Sequence, residues 1–394
     1  MSSTPASVTA TEAVPPTTSA STFVPVQTRS ERFVSGNPED YPAVTGFEPE
    51  WKLTPVKTLR PLIDGELDGS QYPLSYELPE GVSLSWVNAS ECERGVAGLA
   101  EDKAAANAWA QTTEVLVIDI HSDLEQPFTV TRDAVGSQPR AGHTIIRVHD
   151  NAHATLVVSS MGDANLAENV EFDLRQGSAL TAVFTGEWNS GSLQYANHFA
   201  TLGKDATLTH ISVNLGGDTV VLNPSVQLVG SGSEAHLFGA YFADATQHLE
   251  HRVYVHHQGP KTVSRVTYKG ALHGKGARTV WIGDVLIGSD AVGTDSYEQN
   301  RNLVLSEGTR ADSIPNLEIK TGDIQGAGHA SATGRFDDEQ LFYLQSRGIE
   351  EVDARRLVVM GFLVEVISKI PIPALVEDLT AKITNKLSKT EEAS

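Results

Sequence analysis

The sequence predicts a mainly β protein with helical segments at both ends. Three observations carry that reading. From Glu114 onward, short runs rich in valine, isoleucine, threonine and aromatics follow one another, among them EVLVIDI, HTIIRV, ATLTHISV, RVYVHH and RTVWIGDVLI. Glycine, asparagine and aspartate punctuate them, which is the composition of strands and turns. No long helical pattern separates the runs, which argues against a doubly wound α/β sheet. An alanine ahead of an apolar run recurs at Ala154, Ala179, Ala206 and Ala235, at intervals of 25, 27 and 29 residues, and again at Ala277 and Ala311. Each interval would hold about two short coils of a parallel β-helix, whose turns stack strands on similar neighbours. A β-sandwich with irregular loops fits the same spacing, and periodicity alone does not choose between them.

The flanks differ in character. Residues 1–28 are rich in Ser, Thr, Pro and Ala, with no large apolar anchor before Phe23, and read as a disordered tail. Residues 29–113 form a mixed region in which Trp51 and Leu53 are expected to pack. The stretch AGLAEDKAAANAWAQ within Glu91 to Thr113 predicts a helix, because alanine has the best helix propensity. Residues 114–336 hold the β-rich runs. Residues 337–394 turn helical. DDEQLFYLQSRGI has an apolar face at Leu341, Phe342 and Leu344, a cap at Asp337 or Asp338 and a left-handed stop at Gly348. A second helix is expected near Glu351 to Ile370, with Leu357, Val358, Phe362 and Val366 on one face and Pro371 and Pro373 ending it. A third covers Leu375 to Leu387. These faces need the β core or a partner to cover them.

Composition excludes several classes. The 394 residues carry 50 acids against 29 Lys and Arg, a net charge of −21. That is the wrong sign for a general nucleic-acid binder or for adhesion to anionic membranes. No apolar stretch reaches the roughly 20 residues that cross a bilayer. The start lacks the basic and apolar regions of a secretory signal, so the expected location is the cytoplasm. One cysteine, Cys92, forms no internal disulfide and cannot supply the several thiolates that usually hold an iron–sulfur cluster. There is no GxxxxGK[ST] loop, so no ATP is expected to bind this chain, and no GxSxG or HExxH motif.

Histidine is the residue type of interest. Of 13, His143, His149 and His153 lie close in sequence, as do His248, His251, His256 and His257. Imidazole binds metals, but fixed ligand spacings are missing, and hydrogen-bonded or solvated histidines are the favoured reading of both groups. His329 stands in GAGHASATG, where glycines would let a turn project it.

The C-terminal third resembles the SufB/SufD family. The resemblance rests on RNLVLSEGTRADSIPNLEI, HASATG and DDEQLFYLQSRGIEEVDAR. Within these, Leu341 to Leu344 and Ser346 to Ile349 are the most specific run. Pro315, Leu317, Glu318 and Ile319 match a Pro-x-Leu-Glu-Ile element, and Ala354 and Arg355 an acid-Ala-Arg element. Upstream, His256, Gly259 and Pro260 resemble a strand-turn of the same core, and Trp51 and Thr54 a Trp-x-x-Thr element. The clear similarity covers roughly residues 240–370.

The resemblance implies a right-handed parallel β-helix core between helical ends. It implies a non-catalytic scaffold subunit for iron–sulfur cluster assembly, of the SufD branch. Such a subunit pairs with a SufB-like paralogue through the cores and binds a SufC-like ABC ATPase with its C-terminal helices, as a hetero-oligomer. The SufB branch carries a cysteine where Thr309 stands here. In the SufD branch a histidine is implicated in the nascent cluster at the paralogue interface, and that position matches His329, making it the candidate metal and cluster ligand. The pattern departs from the branch at Ala327, where cysteine is frequent, and at Ala330, where glycine is usual. A flavin is neither indicated nor excluded. The competing readings are a β-helix carbohydrate-active enzyme, which would want an export signal and paired carboxylates, and a metal-dependent enzyme using the clustered histidines.

Overall fold

The structure is a computed structural model that describes residues 33–335 and 338–392. The expected tail over residues 1–28 and the Asp337 cap lie outside the described residues. The β-rich stretch folds into two sheets of nine strands each, and from Glu114–Ile120 onward successive strands alternate between them. In each sheet one strand is antiparallel, Ser75–Tyr76 or Val82–Asn88, and the other eight run parallel. The chain therefore winds through about eight turns of a parallel β-solenoid, and the sandwich alternative falls.

Each turn is one circuit of both sheets. Thr207 pairs with Ala179 one turn before and with Glu234 one turn after. An alanine interval thus contains one turn of two long strands, not two short coils. The six alanines also share no single column. Ala154 and Ala235 face the interior, Ala206 sits in a corner, and Ala277 sits in the opposite corner. Alanine is small enough for each of these places, so it marked the period without marking the register.

The true repeat is a corner. One residue per turn adopts positive φ there: Asn151, Gly177, Asp205, Gly232, Lys261 and Gly293. A small buried residue follows each, such as Ala152, Ser178 and Ala206. Its carbonyl accepts the backbone N–H that opens the strand one turn on, at 3.0 Å for Ala179, 2.8 Å for Thr207 and 2.9 Å for Glu234. The left-handed residue reverses the chain, and the small residue lets the next turn stack on it.

The two sheets are covered on their outer faces by different ends of the chain. At the N-terminal end, helices α1 (Val56–Ile63) and α2 (Lys103–Gln111) pack Leu59, Leu62, Ala104 and Ala108 against Ala167, Tyr195 and Val221 of one sheet. The alanine-rich stretch is helical as expected, and Asp102 caps it by accepting the Ala105 N–H at 2.9 Å. Trp51 is buried and stacks on Tyr195. Thr54 reaches into the solenoid wall, donating its hydroxyl to Glu250 at 3.0 Å and accepting from Arg252. Thr54→Val should cost about 1–3 kcal/mol, because it leaves both charged groups a partner short. Chemical denaturation would measure it.

At the other end, α3 (Asp338–Ser346), α4 (Glu351–Ile367) and α5 (Pro373–Glu392) follow the last turn. Gly348, at φ +83°, ends α3, as the sequence indicates. Val359, Leu363 and Val366 of α4, with Leu379, Ile383 and Leu387 of α5, pack on Ile211, Val213, Ala240 and Phe242 of the second sheet. Here one expectation holds only in part. Leu357 is 52 % exposed, whereas Val366 of the expected face is buried, Val358 and Phe362 are partly buried, and the buried stripe also takes in Ala354, Val359 and Leu363. Valine, leucine and phenylalanine occur around most of this helix, so its sequence left the orientation undetermined.

Candidate functional site

Each sheet ends in an edge strand at both ends of the solenoid, Ser75–Tyr76 and Val82–Asn88 at the first turns and two strands at the last. Strand Arg310–Ile319 closes one sheet and strand Gly326–Gly334 the other, and each pairs on one side only among the described residues. Their free backbone groups and the half-exposed Ile314, Ile319 and Tyr297 form an unfinished edge.

His329 lies in the middle of strand Gly326–Gly334, paired in register with Glu298. The sequence suggested a turn at this point. The glycines are instead extended, none of them at positive φ, and Gly328 lies against the Tyr297 ring. The His329 side chain is 44 % exposed. Its Nδ1 stands 3.8 Å from Oε1 of Glu298, which is 1 % exposed.

Glu298 is the residue beside His329 that sequence reasoning did not single out. Both of its carboxylate oxygens are buried without a hydrogen-bond partner. Burial, and then the charge of Asp284, push its pKa up to about 8. Its own strand, DSYEQNRNLV, buries Ser296, Asn300 and Asn302 as well, so no local pattern marked the acid; only its register, one turn before His329, does.

Further polar groups fill the interior behind it. Arg132 pairs with Glu168 at 2.6 Å, and Gln194 donates to Glu168 at 2.7 Å. His198 Nδ1 and His210 Nε2 lie 2.8 Å apart. His251 hydrogen-bonds Asn214 at 2.8 Å and stacks on Tyr241, whose hydroxyl donates to Asn302 at 3.0 Å. Burial lowers the pKa of His210 to about 4 and that of His251 to about 3, so both stay neutral at physiological pH.

The sequence-clustered histidines do not converge. His143 bonds Glu171 at 2.7 Å, and His149 and His153 lie near Asp119 and Asp123. His248 bonds Glu250 at 2.8 Å, while His256 points to Gln227. His257 is held by Thr262 and Ser264. Alternation along the strand His248–His257 sends neighbours to opposite faces, so closeness in sequence separates them in space. Among the described residues no group of three or more His, Cys, Asp or Glu is arranged to hold a metal. Cys92 packs beside Val115, Val117 and Ile145 at the first turns, far along the solenoid from His329. Thr309 donates to the Ser306 carbonyl at 3.1 Å. No described helix is long and apolar enough to cross a membrane.

These features define a class: a parallel β-solenoid with helix-covered flanks and a histidine on an open sheet edge. Residues 129–362 match the domain described as "SUF system FeS cluster assembly, SufBD core domain". The chain belongs to the SufB/SufD family of iron–sulfur cluster assembly proteins. It is 44% identical over 374 residues to an iron-sulfur cluster assembly SufBD family protein of Mycobacterium tuberculosis, covering 92% of this chain and 94% of that one. A second, longer SufBD family protein of the same organism is 27% identical over 190 residues, 48% of this chain and 22% of the other. The iron-sulfur cluster assembly protein SufD of Escherichia coli is 28% identical over 266 residues, 66% of this chain and 62% of that protein.

Proposed function

We propose that this chain is the SufD-type scaffold subunit of a cytoplasmic iron–sulfur assembly complex and is not catalytic by itself. The observation that carries the reading is the last turn, where an edge strand paired on one side only bears His329. A SufB-like paralogue pairs there, satisfying the free backbone groups and covering the apolar edge. M. tuberculosis has both a relative matched over nearly its whole length and a longer family member, which supports a paralogue pair. His329 contributes an imidazole to the nascent cluster, with thiolates coming from the partner, because the single cysteine here lies at the other end. The cluster is cargo and leaves.

A SufC-like ATPase docks on the C-terminal helices. Phe342, Tyr343, Val352 and Leu357 are 71%, 56%, 45% and 52% exposed there, an apolar face that the solenoid leaves uncovered. Phe342→Glu combined with Leu357→Glu should release the ATPase and leave the paralogue bound. Retained ATPase after both changes places the dock elsewhere. The reading as a whole is tested by mild affinity purification of the tagged chain from its host, followed by mass spectrometry. An ABC-type ATPase and a longer paralogue in defined ratio are expected; a chain reproducibly alone at low salt overturns the proposal.

A further inference from the structure

The interior column that ends at His329 is hydrocarbon for most of its length. Reading along the register it runs Leu156, Ala182, His210, Leu237, Val266, Glu298 and His329. A carboxylate thus interrupts an apolar column on the rung directly beneath the histidine. Its packing is close: a side chain at Gly283 would meet Glu298 Oε2 at 2.3 Å. It gains no hydrogen bond from the protein, since both oxygens lack partners. Burying an acid in this way costs stability unless something else uses it. The His329 ring is a donor beside it, with Nδ1 at 3.8 Å from Oε1, and the imidazole is half exposed.

We propose that Glu298 is the positioning residue for His329: its carboxylate accepts the Nδ1–H of the imidazole and leaves Nε2 free to bind metal. This rests on the reading of His329 as a cluster ligand. A histidine with a fixed Nδ1–H presents an unprotonated Nε2 at a defined angle, and a carboxylate acceptor raises the basicity of that nitrogen. Without Glu298 the ring would be free to turn and to carry its proton on Nε2, where it blocks the metal. Glutamine has the same shape and an oxygen that can accept the same bond. The two substitutions therefore separate orientation from charge.

The experiment is nitrogen NMR on the full chain, deuterated and labelled with 15N-histidine, recorded across a pH series in which a free imidazole is neutral. The His329 signal is identified by its loss in His329→Ala. The expected result is the Nδ1–H tautomer in the native chain and in Glu298→Gln, and a shift toward the Nε2–H tautomer in Glu298→Ala. Glu298→Leu, which matches the leucines of the column, replaces Glu298→Ala should the alanine variant not fold. An unchanged tautomer in the folded variant overturns the proposal. In the complex with its partners, loss of Glu298 should weaken iron retention by about 10–100-fold, with Glu298→Gln retaining most of it. The two ideas fail separately. If His329→Ala leaves cluster yield intact, the function assigned to His329 falls, while the tautomer still reports on Glu298. If His329→Ala abolishes the cluster but the tautomer ignores residue 298, only the positioning role falls.

Discussion

Replacing His329 with alanine should leave the chain folded and paired but reduce cluster assembly to background in cells lacking the native copy. The side chain is 44 % exposed and makes no hydrogen bond closer than its 3.8 Å approach to Glu298. Its removal should therefore change stability by no more than about 0.5 kcal/mol, the usual range for a surface position. The edge strand keeps its backbone ladder to Asp295–Val304, so pairing with a partner should survive. What is lost is one nitrogen donor at the sheet edge, and no other histidine among the described residues replaces it there. Iron and sulfide content of the purified complex reads the effect. His153→Ala, on an exposed site of an early turn, is the control and should behave as the native chain. Normal cluster yield from His329→Ala would remove His329 from the mechanism.

The second large effect concerns stability. Glu250 is fully buried, accepts from Thr54 at 3.0 Å and from Arg252, and lies 2.8 Å from His248. Glu250→Ala should cost about 3–5 kcal/mol, because it strands the buried Arg252 guanidinium without its counter-charge. It should also loosen the N-terminal region, since Thr54 anchors that region to this pair. Urea denaturation and limited proteolysis around Trp51 would measure the two consequences. A loss below about 1 kcal/mol would mean that Arg252 finds another acceptor.

The same carboxylate predicts a pH dependence. Burial pushes its pKa up, but Arg252 and His248 outweigh burial and hold it at about 2, below the ordinary 4.5. A depressed pKa gives stability that is present above 4.5 and is lost as the pH falls toward about 2. The native chain should therefore lose stability across that window more steeply than Glu250→Gln. Equal slopes would show that the pair does not govern acid sensitivity.

Much of the architecture was legible along the chain. The β-rich runs, the helical ends, the stop at Gly348 and the burial of Trp51 all follow from local propensity and patterning, which depend on near neighbours. The interval of the repeat was legible, although each interval proved to be one turn of two long strands and not two coils. The register was not, because alanine fits the interior, both corners and less buried sites alike. The orientation of α4 escaped for a related reason: with apolar residues around most of the helix, only the sheet beneath it decides which ones are buried.

The candidate site divides in the same way. A family resemblance in the sequence pointed to His329, and nothing in the spacing of His143, His149 and His153 or of His248 to His257 made a site of them. Residues adjacent in a strand face opposite ways, whereas residues one turn apart in a solenoid become neighbours. That is why Glu298 was invisible until the chain was wound. By itself the sequence determined a mainly β, acidic, single-cysteine chain with helical ends, because these are properties of composition and short-range order. The family resemblance already implied parallel turns, which the structure shows; only the tertiary structure decided that each turn holds two long strands, which residues share a column, and that a buried acid stands one rung beneath His329. Those facts depend on contacts between residues about thirty positions apart, which backbone stacking fixes and local sequence does not encode.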